Sequence, residues 1–192
     1  MRVLIGCEFS GVVRDAFTAR GHYAVSCDLL PTESAPGMHY QGDVRDIIDD
    51  GWDLGIFHPP CTYLSNSGVR WLHTQEGRWA LMEEGARFFK QCLDAPIDRV
   101  AVENPIMHKY AVEIIGRRQD QVVQPWQHGE GETKGIGLWL RNLPPLEPTD
   151  IVEGRKPRIH WMSPSKDRQK LRSTMYKGVA AAMADQWSNL DV

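Results

Sequence analysis

Two short motifs, His58-Pro59-Pro60-Cys61 and Glu103-Asn104-Pro105, put a thiol and a carboxylate on two proline-containing loops, with Cys61 and Glu103 separated by 42 positions. Each motif follows a short apolar run of strand character, Trp52 to Phe57 in the first case and Arg99 to Val102 in the second. An ionised cysteine sulfur adds to an electron-poor carbon, and a carboxyl group protonates or hydrogen-bonds a ring nitrogen as the electrons move. Converging on one ring, the pair points to covalent chemistry on a pyrimidine. Taken alone, Cys61 reads more simply as a small buried hydrophobe. Glu103 is harder to read as packing, because a charged group at the end of a buried strand has a partner or a task.

The elements that must carry these loops alternate along the chain. Val3-Leu4-Ile5 ends at Gly6, Gly11 to Arg20 reads as a helix closed by Gly21, and Tyr23 to Cys27 reads as a strand ending on Asp28. Gly42 to Asp46 marks a later strand-end loop with Ile47 and Ile48 on a short helix, and a longer helix is expected over roughly Glu76 to Leu93. This order predicts an α/β fold with a doubly wound, mainly parallel sheet. Ligands of such sheets collect at the carboxyl ends of the strands. At the first of these ends stand Glu8-Phe9-Ser10-Gly11, where a glycine permits close backbone approach. Asp28, at the second, is placed to accept hydrogen bonds from a ribose diol, and Asp43, at the third, from an exocyclic amine. Singly, each is as well explained by a tight turn or a helix cap. Their order along one sheet edge outlines a nucleoside cofactor.

A chain of 192 residues with 42% hydrophobic content fits one globular domain with its own core. Its 22 Lys and Arg against 25 Asp and Glu give a net charge of −3, so a nucleic-acid partner requires a local basic face. The four cysteines show neither CxxC nor Cys/His ligand spacing, which argues for reduced thiols and against a metal site or a disulfide framework. The start Met1 to Ile5 is too short for a signal-peptide core, and no stretch has membrane-spanning length; the expectation is a cytoplasmic protein of a bacterium or phage-infected host, without a membrane partner. Prolines 144, 145, 148 and 157 divide a catalytic body, residues 1–143, from residues 144–192, a Pro-rich and basic connection plus a C-terminal helix, Ala180 to Trp187, that packs back on the same domain. Arg155, Lys156, Arg158, Lys166, Arg168, Lys170 and Arg172 concentrate positive charge there. Phosphate contact is one reading and a solvated tail the other.

Taken together, the ordered motifs resemble the catalytic domain of the cytosine-C5 DNA methyltransferases, in a short form similar to small phage and prophage members. Phe9-Ser10-Gly11 resembles the family's cofactor loop, Cys27-Asp28 its ribose-binding acid, Gly42-Asp43-Val44 its adenine-contacting loop, Pro59-Pro60-Cys61 its catalytic loop with Ser65 and Gly68 downstream, and Glu103-Asn104 its Glu-Asn pair. The resemblance implies the Rossmann-like fold of S-adenosylmethionine-dependent methyltransferases, with that cofactor held by Glu8, Phe9, Ser10, Gly11, Asp28 and Asp43. It further implies DNA as partner, Cys61 adding to C6 of cytosine, and Glu103 acting at N3. Pro59, Pro60, Ser65, Gly68, Asn104, Lys134 and Arg172 would shape the substrate loops, with residues 65–68 a mobile cover over the nucleophile. Lys134 lies where the family has a Gln-x-Arg-x-Arg element, which is missing here, and the 38 positions from Lys134 to Arg172 leave no room for a full target-recognition domain. Sequence-specific readout is thereby put in doubt. RNA, a nucleotide or a modified pyrimidine remain alternative substrates, a non-catalytic nucleic-acid- or partner-binding module is the alternative class, and a second copy or a partner protein supplying the recognition surface is an open alternative.

Overall fold

Alternate residues of the first strand serve two separate cores. In β1 (Arg2–Gly6), Val3 and Ile5 enter one cluster while Leu4 enters the other, and all three are fully buried. The computed structural model describes residues 1–163, 172–188 and 190; Lys166, Arg168 and Lys170 of the basic segment lie outside the described residues. On one side β1 pairs in parallel with β2 (Tyr23–Asp28), which pairs with β3 (His39–Gln41); on the other it pairs with β4 (Leu54–Phe57), which pairs with β5 (Arg99–Asn104). Beyond β5 come β6 (Gln121–Val123) and β7 (Ile136–Arg141), giving the order β3-β2-β1-β4-β5-β7-β6, with β7 antiparallel to both neighbours. The doubly wound, mainly parallel sheet is as expected.

Helices cover both faces. Val13 and Phe17 of α1 (Val12–Thr18) share one core with the C-terminal helix, whereas Met82, Ala86 and Phe89 of α2 (Arg78–Leu93) and Ala111 and Ile115 of α3 (Lys109–Ile115) fill the other. Gly11 adopts φ 75°, so α1 begins one residue later than its sequence suggests. Ile47 and Ile48 follow a 3-10 turn, Val44–Asp46, rather than sitting on a helix. The segment expected as a mobile cover forms a 3-10 helix over Asn66–His73. Glu103, expected just beyond its strand, lies inside it, paired with Leu138 of β7. None of the described helices is long and apolar enough to cross a membrane.

After the short α4 (Arg158–Trp161), the chain ends in α5 (Lys177–Gln186). Val179, Ala180, Met183 and Trp187 join the core that also holds Val13 and Phe17. The Trp187 indole N–H donates to the Pro144 carbonyl at 3.0 Å, tying the end of this helix to the start of the Pro-rich connection. At the other end, Gly178 approaches the backbone of His128 so closely that a Cβ would lie 1.6 Å from its carbonyl oxygen. Truncating a fully buried indole removes apolar contacts and leaves a cavity. Trp187→Ala is expected to cost about 3–5 kcal/mol, read as a lowered urea midpoint with an unchanged slope; an unaltered midpoint would show that α5 adds nothing to the core.

Candidate active site

The parallel ladder between β4 and β5 ends at the pair Phe57 and Val102, so the residues after each leave the same edge of the sheet. The His58 amide donates to the Gly6 carbonyl at 2.9 Å, and the buried Asn104 side chain donates to the Pro59 carbonyl at 2.8 Å. Further along, Asn66 N–H donates to Ile106 O at 2.9 Å and His108 N–H to Leu64 O at 3.1 Å. The His108 ring also bonds the Tyr63 carbonyl at 2.9 Å. The loop after the thiol and the loop after the carboxylate are thus laced together, which holds the 3-10 helix in place.

Between these loops and the ends of β1 and β2 lies a cavity of about 710 Å³. Cys61 and Glu103 both line it, with Pro59, Pro60, Ser65, Gly68 and Asn104 around them and Lys134 and Arg172 closing one side. Lys134 Nζ donates to the Arg172 carbonyl at 2.7 Å, bringing together two residues far apart in sequence. Glu8, Phe9, Ser10 and Asp28 line the end formed by β1 and β2. Gly11 and Asp43 do not line it. Gly11 is the cap residue of α1, and Asp43 caps the 3-10 turn, its Oδ1 accepting the Arg45 N–H at 3.0 Å. Hydrogen bonds from the Arg45 side chain and backbone hold the Asp43 carboxyl down at about 2.

Glu8 faces the cavity but is already engaged. Its carboxylate accepts the N–H groups of Val13 at 2.7 Å and Arg14 at 3.2 Å, satisfying the open end of α1. Asp28 differs: Oδ1 accepts the Leu30 N–H at 2.9 Å, and its other oxygen carries no hydrogen bond among the described residues. Several lining residues escaped the sequence reading, among them Trp71, Arg78, Met175 and His58. For His58 a signal existed, since it is the first residue after a buried strand, the same criterion that drew attention to Glu103. Its Nδ1 lies 3.3 Å from Glu103 Oε2, while its Nε2 is buried without a partner among the described residues.

Burial opposes ionisation of both Cys61 and Glu103, and their neighbours decide the outcome at each. Burial pushes the Cys61 thiol above its ordinary value and the Glu103 charge pushes it further, with Arg172 and Lys134 pulling back. For Glu103 burial also opposes ionisation, but the hydrogen bond and charge of His58, aided by Lys134, outweigh it and hold the carboxyl below its ordinary range. Near neutral pH the site therefore pairs a protonated thiol with an ionised carboxylate.

No model of a known protein family matches the chain, and no curated protein matches it. Among solved structures it is similar to the methyltransferase EhMeth of Entamoeba histolytica, with a TM-score of 0.51 and 13% identity over 79% of this chain. The chain has a methyltransferase-like fold. It spans 57% of the length of the EhMeth chain. At the β1–β2 end the cavity presents the acceptor oxygen of Asp28, and Phe9, Leu30 and Met175 are among its apolar lining residues.

Reactivity of the thiols follows from these environments. Burial raises Cys27 and Cys92 to about 12, so both should resist alkylation, leaving Cys61, which is only partly buried, to react ahead of them. Because the Cys61 value is raised, its thiolate fraction should keep increasing as pH rises past the ordinary 9.0. Iodoacetamide labelling mapped by mass spectrometry should show that dependence, and Lys134→Gln should slow labelling at a given pH. A Cys61 that reacts at a pH-independent rate near neutrality would contradict the assignment.

Proposed function

We propose that this protein transfers a methyl group to C5 of cytosine in DNA through a covalent bond between Cys61 and C6. One observation carries the reading: Cys61 and Glu103 line one cavity, close enough for each charge to bear on the other, and the same cavity continues to the carboxylate of Asp28. In this reading Asp28 holds a ribose diol, with Phe9 and Ser10 beside it. S-adenosylmethionine, when bound there, supplies an electrophilic methyl group.

The chain's own residues prepare the ring. Cys61 gives up its thiol proton to solvent, favoured by the positive charges of Lys134 and Arg172, and the sulfur forms a bond to C6. As the C5–C6 double bond opens, a proton delivered at N3 by Glu103 neutralises the charge developing in the ring, and C5 becomes nucleophilic. After C5 is methylated, loss of its proton restores the double bond, the sulfur leaves C6, and N3 returns its proton to Glu103. Pro59 and Asn104 act on this sequence by fixing the two loops relative to each other.

A cytosine must leave its stack to enter such a cavity, at a cost of a few kcal/mol in duplex DNA and less in a single strand. Trp71 lines the cavity and the Arg70 guanidinium lies 4.4 Å from the centre of its ring, a combination suited to phosphate contact and base stacking. The 38 positions from Lys134 to Arg172 are consistent with loose sequence preference, or with a second copy or partner protein completing the recognition surface.

Incubation with labelled S-adenosylmethionine and single-stranded or duplex DNA, followed by nucleoside mass spectrometry, should yield 5-methylcytosine. Cys61→Ala should reduce it by at least about 1,000-fold, and DNA containing 5-fluorocytosine should trap an adduct with wild type alone. With RNA run in parallel, methylated cytidine in RNA only would change the substrate. Cofactor binding without product from any substrate would sink the proposal, and DNA binding unaffected by Cys61→Ala without an adduct would assign a non-catalytic binding module instead.

A further inference from the structure

Two facts about the carboxylate pull apart. Adding sulfur to C6 is productive only if N3 gains a proton, yet the ligand-free surroundings of Glu103 favour its ionised form. The group nearest to resolving this is His58, whose ring is buried beside Glu103 with Nδ1 at 3.3 Å from Oε2. The ring leaves the end of β4 anchored through its backbone to Gly6, and its Nε2 meets no partner among the described residues, so the imidazole is oriented by Glu103 alone. A nitrogen buried without a partner costs free energy that a purely structural side chain would not be expected to incur.

Resting on the methyl-transfer reading, we propose that His58 is a positioning residue that stores the reaction's proton and passes it through Glu103 to the ring nitrogen of the substrate. Before addition, the imidazolium donates its Nδ1–H to the carboxylate. As the sulfur bonds C6, the Nδ1–H bond breaks and that one proton, relayed across the Glu103 carboxylate, forms the N–H bond at N3, so Glu103 is again a carboxylate when addition is complete. His58 is left neutral with its remaining proton on Nε2, and the reverse transfer on departure of Cys61 restores the starting state. No oxidant or reductant is needed, and the stored proton comes from water. The charged and titratable groups bearing on the pair are Cys61 from the loop after β4, Lys134 from the segment before β7, and Arg172, which acts on Cys61.

The test is His58→Gln, whose amide still donates to Glu103 but carries no transferable proton. Only the carboxyl can then hold the proton, so the high-pH limb of the rate profile should move towards acid by about two pH units and activity near neutrality should fall about 100-fold. A profile like that of wild type would leave the methyl transfer standing and overturn the role of His58. An independent readout needs neither turnover nor cofactor: in the wild-type protein near neutrality, nitrogen-labelled His58 should carry protons on both ring nitrogens, with the Nδ1 proton shared with Glu103, and Glu103→Gln should remove that second proton. A singly protonated ring in the wild type overturns the inference even if His58→Gln fails to fold. Wild type that makes no product and no adduct overturns the activity itself, and this role with it.

Discussion

The site depends on where the ladder between β4 and β5 stops. Phe57 and Val102 form its last pair, and on one side the next residues lead into Pro59 and Pro60, which have no N–H to continue a ladder. On the other side β5 continues for two more residues, because β7 pairs with Glu103 and Asn104 from the opposite flank. One chain peels away while its neighbour stays straight, and the cleft opens between them. Asn104 then closes the base of that cleft by donating to Pro59. Every later contact between the two loops, from Asn66 to His108, builds on that single tie.

Charge in the cleft is arranged by the same geometry. Both Cys61 and Glu103 are largely removed from water, which by itself would keep both neutral. Glu103 escapes because His58 stands next to it, whereas Cys61 faces that same carboxylate and receives only partial relief from Lys134 and Arg172. A nucleophile that stays protonated until its surroundings change is guarded against adventitious alkylation and oxidation. Closure by the side of the cavity that holds Lys134 and Arg172 depends on residues distant in the chain, one before β7 and one after the Pro-rich connection, brought together by a hydrogen bond between them.

The strands that carry the motifs were legible because each is a short apolar run bounded by Gly, Pro or Asp: Val3 to Ile5, Tyr23 to Cys27, the run ending at Phe57, and Arg99 to Val102. The rest of the sheet was not. β3 and β6 are three residues long and largely polar or half exposed, and β7 is broken by Gly137, whose backbone closely approaches the Asn104 carbonyl. Asp43 and Glu8 illustrate a second limit. Both have the right chemistry for a ligand at a strand end, yet nearby N–H groups engage each carboxylate first, and only the local backbone path determines that outcome.

By itself the sequence determined the alternating order of strands and helices and singled out the candidate thiol, carboxylate and acid at the end of β2, because these depend on residue type, periodicity and position along the chain. Only the tertiary structure decided that Glu103 sits within its strand, that His58 is the group beside it, that Glu8 belongs to a helix end, and that Lys134 and Arg172 share one wall. Each of those is a matter of distance between residues remote in sequence, and distance is set by the register of the sheet and the packing of its helices.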